Sequence, residues 1–383
     1  MIPDGSVLVQ DGVIVEVGST RRVENLALAR KAIEISAVGR VVMPGFVDSH
    51  THLLYPPAGS FPSDCEAGAR TIQSITGLRL QTRARLHLET MARHGTTTVE
   101  VKSGCGPDGN TEMKLLRVAA AMRNKPVDIV ATFLIRLPRA VSEEMEGVGH
   151  ECRRISEEVL PKVRRRRLAR FVDFASEEWC AGMPLCGPLL EAAGKLGFSQ
   201  KVHAAGIAPS SAIAAAVAQG AVSVDHIEHA TAADAALLAH SNTIATLLPC
   251  ASFHSDGRYA PARTLIDSGG AVALATNFNP HHTPTLNMQT AIKLACVRMG
   301  MTPAEAVSAA TINGAHAVGC ADRAGSLTPG KQADLLILNI SDYRELAHHF
   351  GTNLVHRTLK RGELIYEEGE VAPRPARDLR PGW

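Results

Sequence analysis

Two histidines one residue apart, His50 and His52, close the apolar run Val41-Val42-Met43-Pro44-Gly45-Phe46-Val47-Asp48. In an extended chain alternate side chains share a face, so both imidazoles leave the end of that strand in one direction. Neutral imidazole is a good ligand for zinc and iron, and two rings aimed at one point make half a metal site. A His-x-His pair alone is weak, because such pairs are common on surfaces. Other apolar runs, however, also end in polar residues: Lys102, Glu177, His203, His226 and Asn277. Four histidines at strand ends outweigh the bland reading in which each is a hydrogen-bonded core residue. Three imidazoles with an open position suit one catalytic divalent or trivalent metal, Zn or Fe. Such an ion lowers the pKa of a bound water and polarises a carbonyl.

The elements that must position these residues follow from the pattern of the chain. Buried-strand candidates fall at 41–48, 96–102, 127–133, 169–175, 199–204, 221–226, 243–247 and 271–276. Helical stretches separate them, among them 78–94, 111–123, 143–159, 187–196, 210–219, 232–240 and 260–268, with 287–298 after the last strand. Eight strands alternating with helices predict an α/β protein with a (β/α)8 TIM-like barrel, whose active face lies at the strand C-terminal ends. A doubly wound open sheet is the competitor, and no glycine fingerprint follows the first strand to support it. Both termini carry short β segments, 6–10 and 13–17 joined at Asp11-Gly12, and 333–338, 355–360 and 363–366. An Asp-Gly between apolar runs marks a hairpin. The two ends are therefore expected to meet in a small β-sandwich domain. The predicted division is sandwich over 1–42, barrel over 43–320, and sandwich plus tail over 321–383.

Composition narrows the function. Of the 383 residues 45% are apolar and only 4% aromatic, enough for a large core of small aliphatic side chains. A net charge of +2 argues against nucleic acid as the main partner. The basic run Lys162-Val163-Arg164-Arg165-Arg166-Arg167 reads as a solvated helix end before a strand, with an RNA or targeting patch as the alternative. No stretch reaches the roughly 18 apolar residues of a membrane span, and the start carries no secretory pattern. Eight scattered cysteines without a Cys-x-x-Cys suit a reducing compartment. A cytoplasmic protein with a small-molecule substrate is expected.

The motifs PGFVDSHTH, KVHA, DHIEH and ALATNFNP, with the closing GSLTPGKQADL (325–335), resemble the amidohydrolase superfamily over nearly the whole chain. GTTTVEVKSG (95–104), ATLLPCASF (245–253), the NFNP…PT…N run (277–287), MTPAEAVSAATIN (301–313) and HHFGTNLV (348–355) are most similar to its imidazolonepropionase branch. The resemblance implies a barrel plus β-sandwich, a mononuclear Zn or Fe, a homodimer, and hydrolytic opening of a cyclic amide. Position by position it implies that His50, His52 and His203 hold the metal, and that His226 assists the water or the oxyanion. The fourth ligand and general base, an Asp in the family, falls on Asn277. A neutral amide oxygen binds a metal weakly and cannot take the proton from water. The family's Glu three residues after the fifth-strand His falls on Gly206, and its substrate-facing Tyr on Cys105. The Arg expected after the His-x-His is absent from 53–60, and the His expected after the third strand is replaced within 134–138.

Several residues stand where replacements would be needed. Asn279-Pro280-His281-His282 puts two titratable rings after the eighth strand, as acid, base or substrate contacts or else as a solvated loop. Arg136 offers a bidentate fork for a substrate carboxylate, against a structural ion pair. Asn279 is read as a further substrate contact and Glu177 as either that or a partner of Lys102; Lys102 is read as buried and paired with an acid, with catalysis as the alternative. Cys105 lines the same wall, with packing as its plainer role. Three functions stay open: metal-dependent hydrolysis of a C–N bond in a small cyclic amide or imidazolone-like ring; a non-hydrolytic cyclase, dehydratase or deaminase; and a catalytically silent scaffold. An engineered Asp-to-Asn change would account for Asn277 alone.

Overall fold

A computed structural model describes residues 1–56, 65–106, 108–136, 145–175, 188–204, 209–255 and 257–369. Fourteen strands make three sheets among these residues. The largest has eight parallel strands in sequence order: β4 (Phe46–Asp48), β5 (Thr96–Lys102), β6 (Asp128–Ile135), β7 (Phe171–Ala175), β8 (Ser199–His203), β9 (Ser223–Asp225), β10 (Ile244–Leu247) and β11 (Val272–Leu274). The seam between β4 and β11 is tied just past the strand ends. Thr51 bridges Phe278 in parallel register, the His52 N–H donates to the Phe278 carbonyl at 2.7 Å, and Asp48 accepts from Thr276. The expected (β/α)8 barrel is the fold.

Helices shield the outside as the periodicity requires. In β5 the residues Val99 and Val101 pack among Leu80, Ala84 and Leu88 of the helix Gly77–Arg93 and Leu115 of the helix Gly109–Ala121. Their neighbours Glu100 and Lys102 turn the other way, into the barrel, by the period-2 alternation of a strand. The same division holds in β7, where Val172 and Phe174 join the outer core while Asp173 is among the wholly buried polar residues.

The termini meet as expected. β1 (Gly5–Gln10) and β2 (Val13–Ser19) form an antiparallel hairpin. The other sheet runs β14 (Glu363–Glu367), β13 (Val355–Lys360), β12 (Leu335–Leu338), β3 (Val41–Pro44). Ile14 of the hairpin shares a buried cluster with Leu335, Ile337 and Leu359, so the two sheets close on one small core. The single strand expected over 41–48 is in fact two, broken at Gly45. β3 pairs with β12 in the small sheet and β4 with β5 in the barrel. A Cβ at Gly45 would lie 2.2 Å from the Thr97 hydroxyl, so only glycine lets the chain cross at that approach.

Candidate metal centre at the C-terminal mouth of the barrel

His50 and His52 leave the end of β4, His203 ends β8, and His226 follows β9. The four rings converge. His50 lies 5.1 Å from His52, 5.2 Å from His203 and 5.2 Å from His226 between ring centroids, and His203 to His226 is 4.1 Å. His50, His203 and His226 each offer a ring nitrogen within 4.8 Å of the others. His226 has φ 58, a left-handed backbone that is uncommon outside glycine. Asp225 already faces inward, so a regular strand would send the next side chain outward; the αL residue keeps His226 within reach of His203. Asn277 has φ 52. Two non-glycine residues in this conformation at one site mark stored strain of the kind found at functional centres.

Burial holds the rings neutral. His50, His52 and His203 are all driven well below the ordinary histidine value, first by desolvation and then by nearby positive groups. Their lone pairs are therefore available at neutral pH. His50 Nδ1 sits 2.7 Å from Asp225 Oδ2, which leaves His50 Nε2 as the ligand atom. That Nε2 lies 3.3 Å from His52 Nε2. Two nitrogens on one tetrahedral metal at the usual ~2.0–2.1 Å sit about 3.4 Å apart, so the spacing fits a shared ion. His203 Nδ1 and Asn277 Oδ1 are buried with no hydrogen-bond partner among the described residues. Buried polar atoms are normally satisfied, and unsatisfied ones beside a histidine cluster mark the place of a missing partner. The donor set fits one metal ion.

Beneath the histidines lies a layer of buried charge. Lys102 Nζ donates to Asp173 Oδ2 at 2.6 Å and to Asp225 Oδ2 at 2.9 Å, and is 3.4 Å from Glu100 Oε2. Lys201 Nζ reaches Glu100 Oε2 at 2.7 Å, and Ser223 Oγ donates to Asp225 Oδ1 at 2.9 Å. Burial raises the Asp225 carboxyl, but Lys102, Lys201 and His50 outweigh it and hold the group well below its usual value. Three carboxylates face two ammonium groups, a surplus of one negative charge that complements a cation above. Asp48, pushed up to about 7 mainly by burial, accepts from the Thr276 N–H and hydroxyl at 3.0 and 2.6 Å.

One side of the mouth is built from β6 and the segments after β4 and β5. Arg136 follows β6 and is exposed; its positive charge acts on His52 and His203, and its side chain hydrogen-bonds Tyr55. Tyr55 leans against His52 with ring centroids 4.6 Å apart and planes tilted by 45°, and donates to the Gly104 carbonyl at 3.3 Å. Cys105 is next to it, its thiol raised well above the normal value by burial and then by Glu112, so it is no thiolate. Glu112 accepts the Gly104 N–H at 2.8 Å and the Gly106 N–H at 2.5 Å. Across the mouth, the Asn279 Oδ1 accepts the His281 N–H at 2.9 Å, stapling the 279–283 turn, while His281 is half-buried and His282 exposed. Glu177 and Gly206 lie outside the described residues.

Sequence reasoning singled out the histidines, Lys102 and Arg136. It passed over Glu100, Asp173, Lys201, Asp225 and Tyr55. A signal existed: Asp48-x-His50, Glu100-x-Lys102 and Lys201-x-His203 share the period-2 spacing that puts both members of each pair inside the barrel.

Against known proteins, the chain is 38% identical to the imidazolonepropionase of Porphyromonas gingivalis over 382 residues, 94% of this chain and 89% of that protein. The chain belongs to the amidohydrolase family. The family's sequence pattern matches residues 182–365. Two solved structures share the fold: an adenosine deaminase from Xanthomonas campestris with bound zinc (TM-score 0.71, 20% identity, 94% of this chain and 88% of that one), and a 5-methylcytosine deaminase from Klebsiella pneumoniae (TM-score 0.73, 18% identity, 97% of each). This amidohydrolase is imidazolonepropionase-like, a metal-dependent hydrolase of carbon–nitrogen bonds other than peptide bonds.

Proposed function

We propose that the chain hydrolyses a C–N bond of a small cyclic amide or imidazolone-like heterocycle, with one Zn or Fe ion held by His50, His52 and His203, and Asn277 Oδ1 as a weak fourth donor. The convergence of buried, neutral imidazoles on one point, in a chain closely similar to proteins named imidazolonepropionase, supports this reading. When bound, such an ion activates water and polarises the scissile carbonyl. The protein's own groups do the rest. Asp225 fixes the His50 ring through Nδ1, and Lys102 fixes Asp225.

Asn277 has no basic atom, so the proton must go elsewhere. His226 is the least buried of the four histidines, with Nδ1 3.8 Å from Glu228 Oε1. That position beside the cluster suits His226 to take a proton from water and pass it to the leaving nitrogen. His281 and His282, at the rim, are second candidates for the transfer. Arg136 and Tyr55 present a cation and a phenol for an acidic or carbonyl substituent of the ring, with Cys105 and Asn279 as wall. The curated relatives do not favour the non-hydrolytic or silent-scaffold alternatives. We place the enzyme in the cytoplasm as a homodimer. Among the described residues no helix could cross a membrane, and Cys105, Cys250, Cys296 and Cys320 are thiols rather than disulfides, which suits a reducing compartment.

Elemental analysis of the purified protein and of His50→Ala/His52→Ala tests the reading. About one metal per chain, lost with the histidines, is expected, together with ring opening of imidazolones or lactams by the wild type alone. Wild-type protein that holds no metal after supplementation would overturn it.

A further inference from the structure

At the opposite end of the barrel from the histidines, where β6 and β7 begin, an open cavity of about 570 Å³ lies between the barrel and the small β domain. Its walls carry six arginines: Arg123, Arg164, Arg167, Arg170, Arg323 and Arg361. They come from four separate places: the segment before β6, the end of the helix Leu160–Arg165 with the residues that follow it, the segment before β12, and the β13–β14 turn. Asp128 is the carboxylate of the lining, and it is already committed. Arg361 Nη2 lies 2.8 Å from both its oxygens and Lys360 Nζ 2.8 Å from one. Among the described residues Arg323 pairs only with the exposed Asp322, at 3.6 Å. Among the described residues no carboxylate comes within 4.0 Å of Arg123, Arg164, Arg167 or Arg170.

Three of these guanidinium groups are nonetheless held in place. Arg123 donates to the Arg167 carbonyl, Arg164 lies over the Phe198 ring at 5.9 Å, and Arg170 lies over Phe171 at 5.6 Å. Arg170 also rests against Gly319, where a Cβ would come within 2.7 Å of Nη2. Like charges gathered around one concavity repel and weaken the fold unless an anion joins them. Guanidinium forks match phosphate oxygens in pairs, and the volume is that of a small-molecule pocket rather than a single-phosphate cradle. The basic run has a split character. Arg164, in the last turn of the helix, and Arg167, beyond its end with φ 51, line the cavity, whereas Arg165 and Arg166 do not.

We propose that this cavity binds a small anion bearing two or more phosphate groups, of the inorganic pyrophosphate or nucleoside di- and triphosphate class, apart from the metal centre. A recess flanked by two domains suits a compact polyanion better than a nucleic-acid duplex. Calorimetric titration of the whole protein with pyrophosphate and with ATP, at low ionic strength, tests this. One site per chain is expected, with affinity falling at least tenfold in Arg164→Gln/Arg167→Gln and unchanged in Arg165→Gln/Arg166→Gln. Arg323→Gln, on another segment, should weaken binding too and gives a second reading if the first pair fails to fold. No saturable binding would overturn the proposal. Equal loss in the two arginine pairs would also overturn it, since that is diffuse attraction to the run, as a nucleic-acid backbone would feel.

Discussion

Replacing Lys102 by Met removes the central cation of the barrel's buried charge layer while keeping a side chain of similar length. The Lys102 ammonium is wholly buried and lies 2.6, 2.9 and 3.4 Å from Asp173, Asp225 and Glu100. Near 3 Å, opposite charges attract by about 5 kcal/mol at an effective dielectric of 20, and desolvation of the ammonium takes much of that back. The loss on mutation comes from what is stranded. Glu100 keeps Lys201, and Asp225 keeps His50 and Ser223, but Asp173 has no other partner among the described residues, its Oδ1 being unsatisfied already. Breaking a buried pair on one side costs about 3–5 kcal/mol. With 383 residues the unfolding entropy is roughly 0.8 kcal/mol/K, so the melting temperature should fall by about 4–6 °C. The assay is thermal and urea unfolding of metal-stripped protein, which isolates the network from metal binding. Adding Asp173→Asn removes the stranded charge, and the double variant should recover more than half of the loss. A single variant that loses less than about 1 kcal/mol, or a double variant no more stable than the single, would refute the reasoning.

Three further outcomes are expected. Asn277→Asp should raise ring hydrolysis by at least tenfold in a steady-state assay, since it supplies the missing base and a stronger ligand. Glu305 is held down to about 2, chiefly by the Arg263 guanidinium, which its two oxygens meet at 2.9 and 3.1 Å. Because the folded value is lowered, its stabilisation exists above the unfolded value of 4.5 and vanishes as pH falls through about 2. Glu305→Gln should therefore melt below wild type at pH 7, with the gap closing between pH 4.5 and 2; a gap that persists at pH 2 would refute this. Gly104 has φ 94 and a Cβ there would meet Leu134 at 2.7 Å, so Gly104→Ala should cost upwards of about 1 kcal/mol in denaturant unfolding.

The sequence by itself determined the barrel and the small β domain, and it singled out the four histidines that converge at the barrel mouth. Strand and helix periods differ, so eight alternations are legible locally, and a histidine at a strand's end has its direction set by the pleat. The same logic made the Asn277 position visible, because one residue type replaces another at a motif position. What only the tertiary structure decided is everything that depends on which inward side chains meet across the barrel. Asp225 and Lys102 are 123 positions apart, and Lys201 and Glu100 101; nothing local records that each closes on the other. His226 needed the left-handed backbone at its own position, and Gly45 the closeness of Thr97. Tyr55 acquired its place beside Arg136 and His52 only when the segments after β4 and β6 were brought together. The arginine run reads as a solvated helix end in one dimension. In three dimensions two of its members join four others around a cavity, because the barrel brings the start of β6, the start of β7 and the small domain's turn to one place.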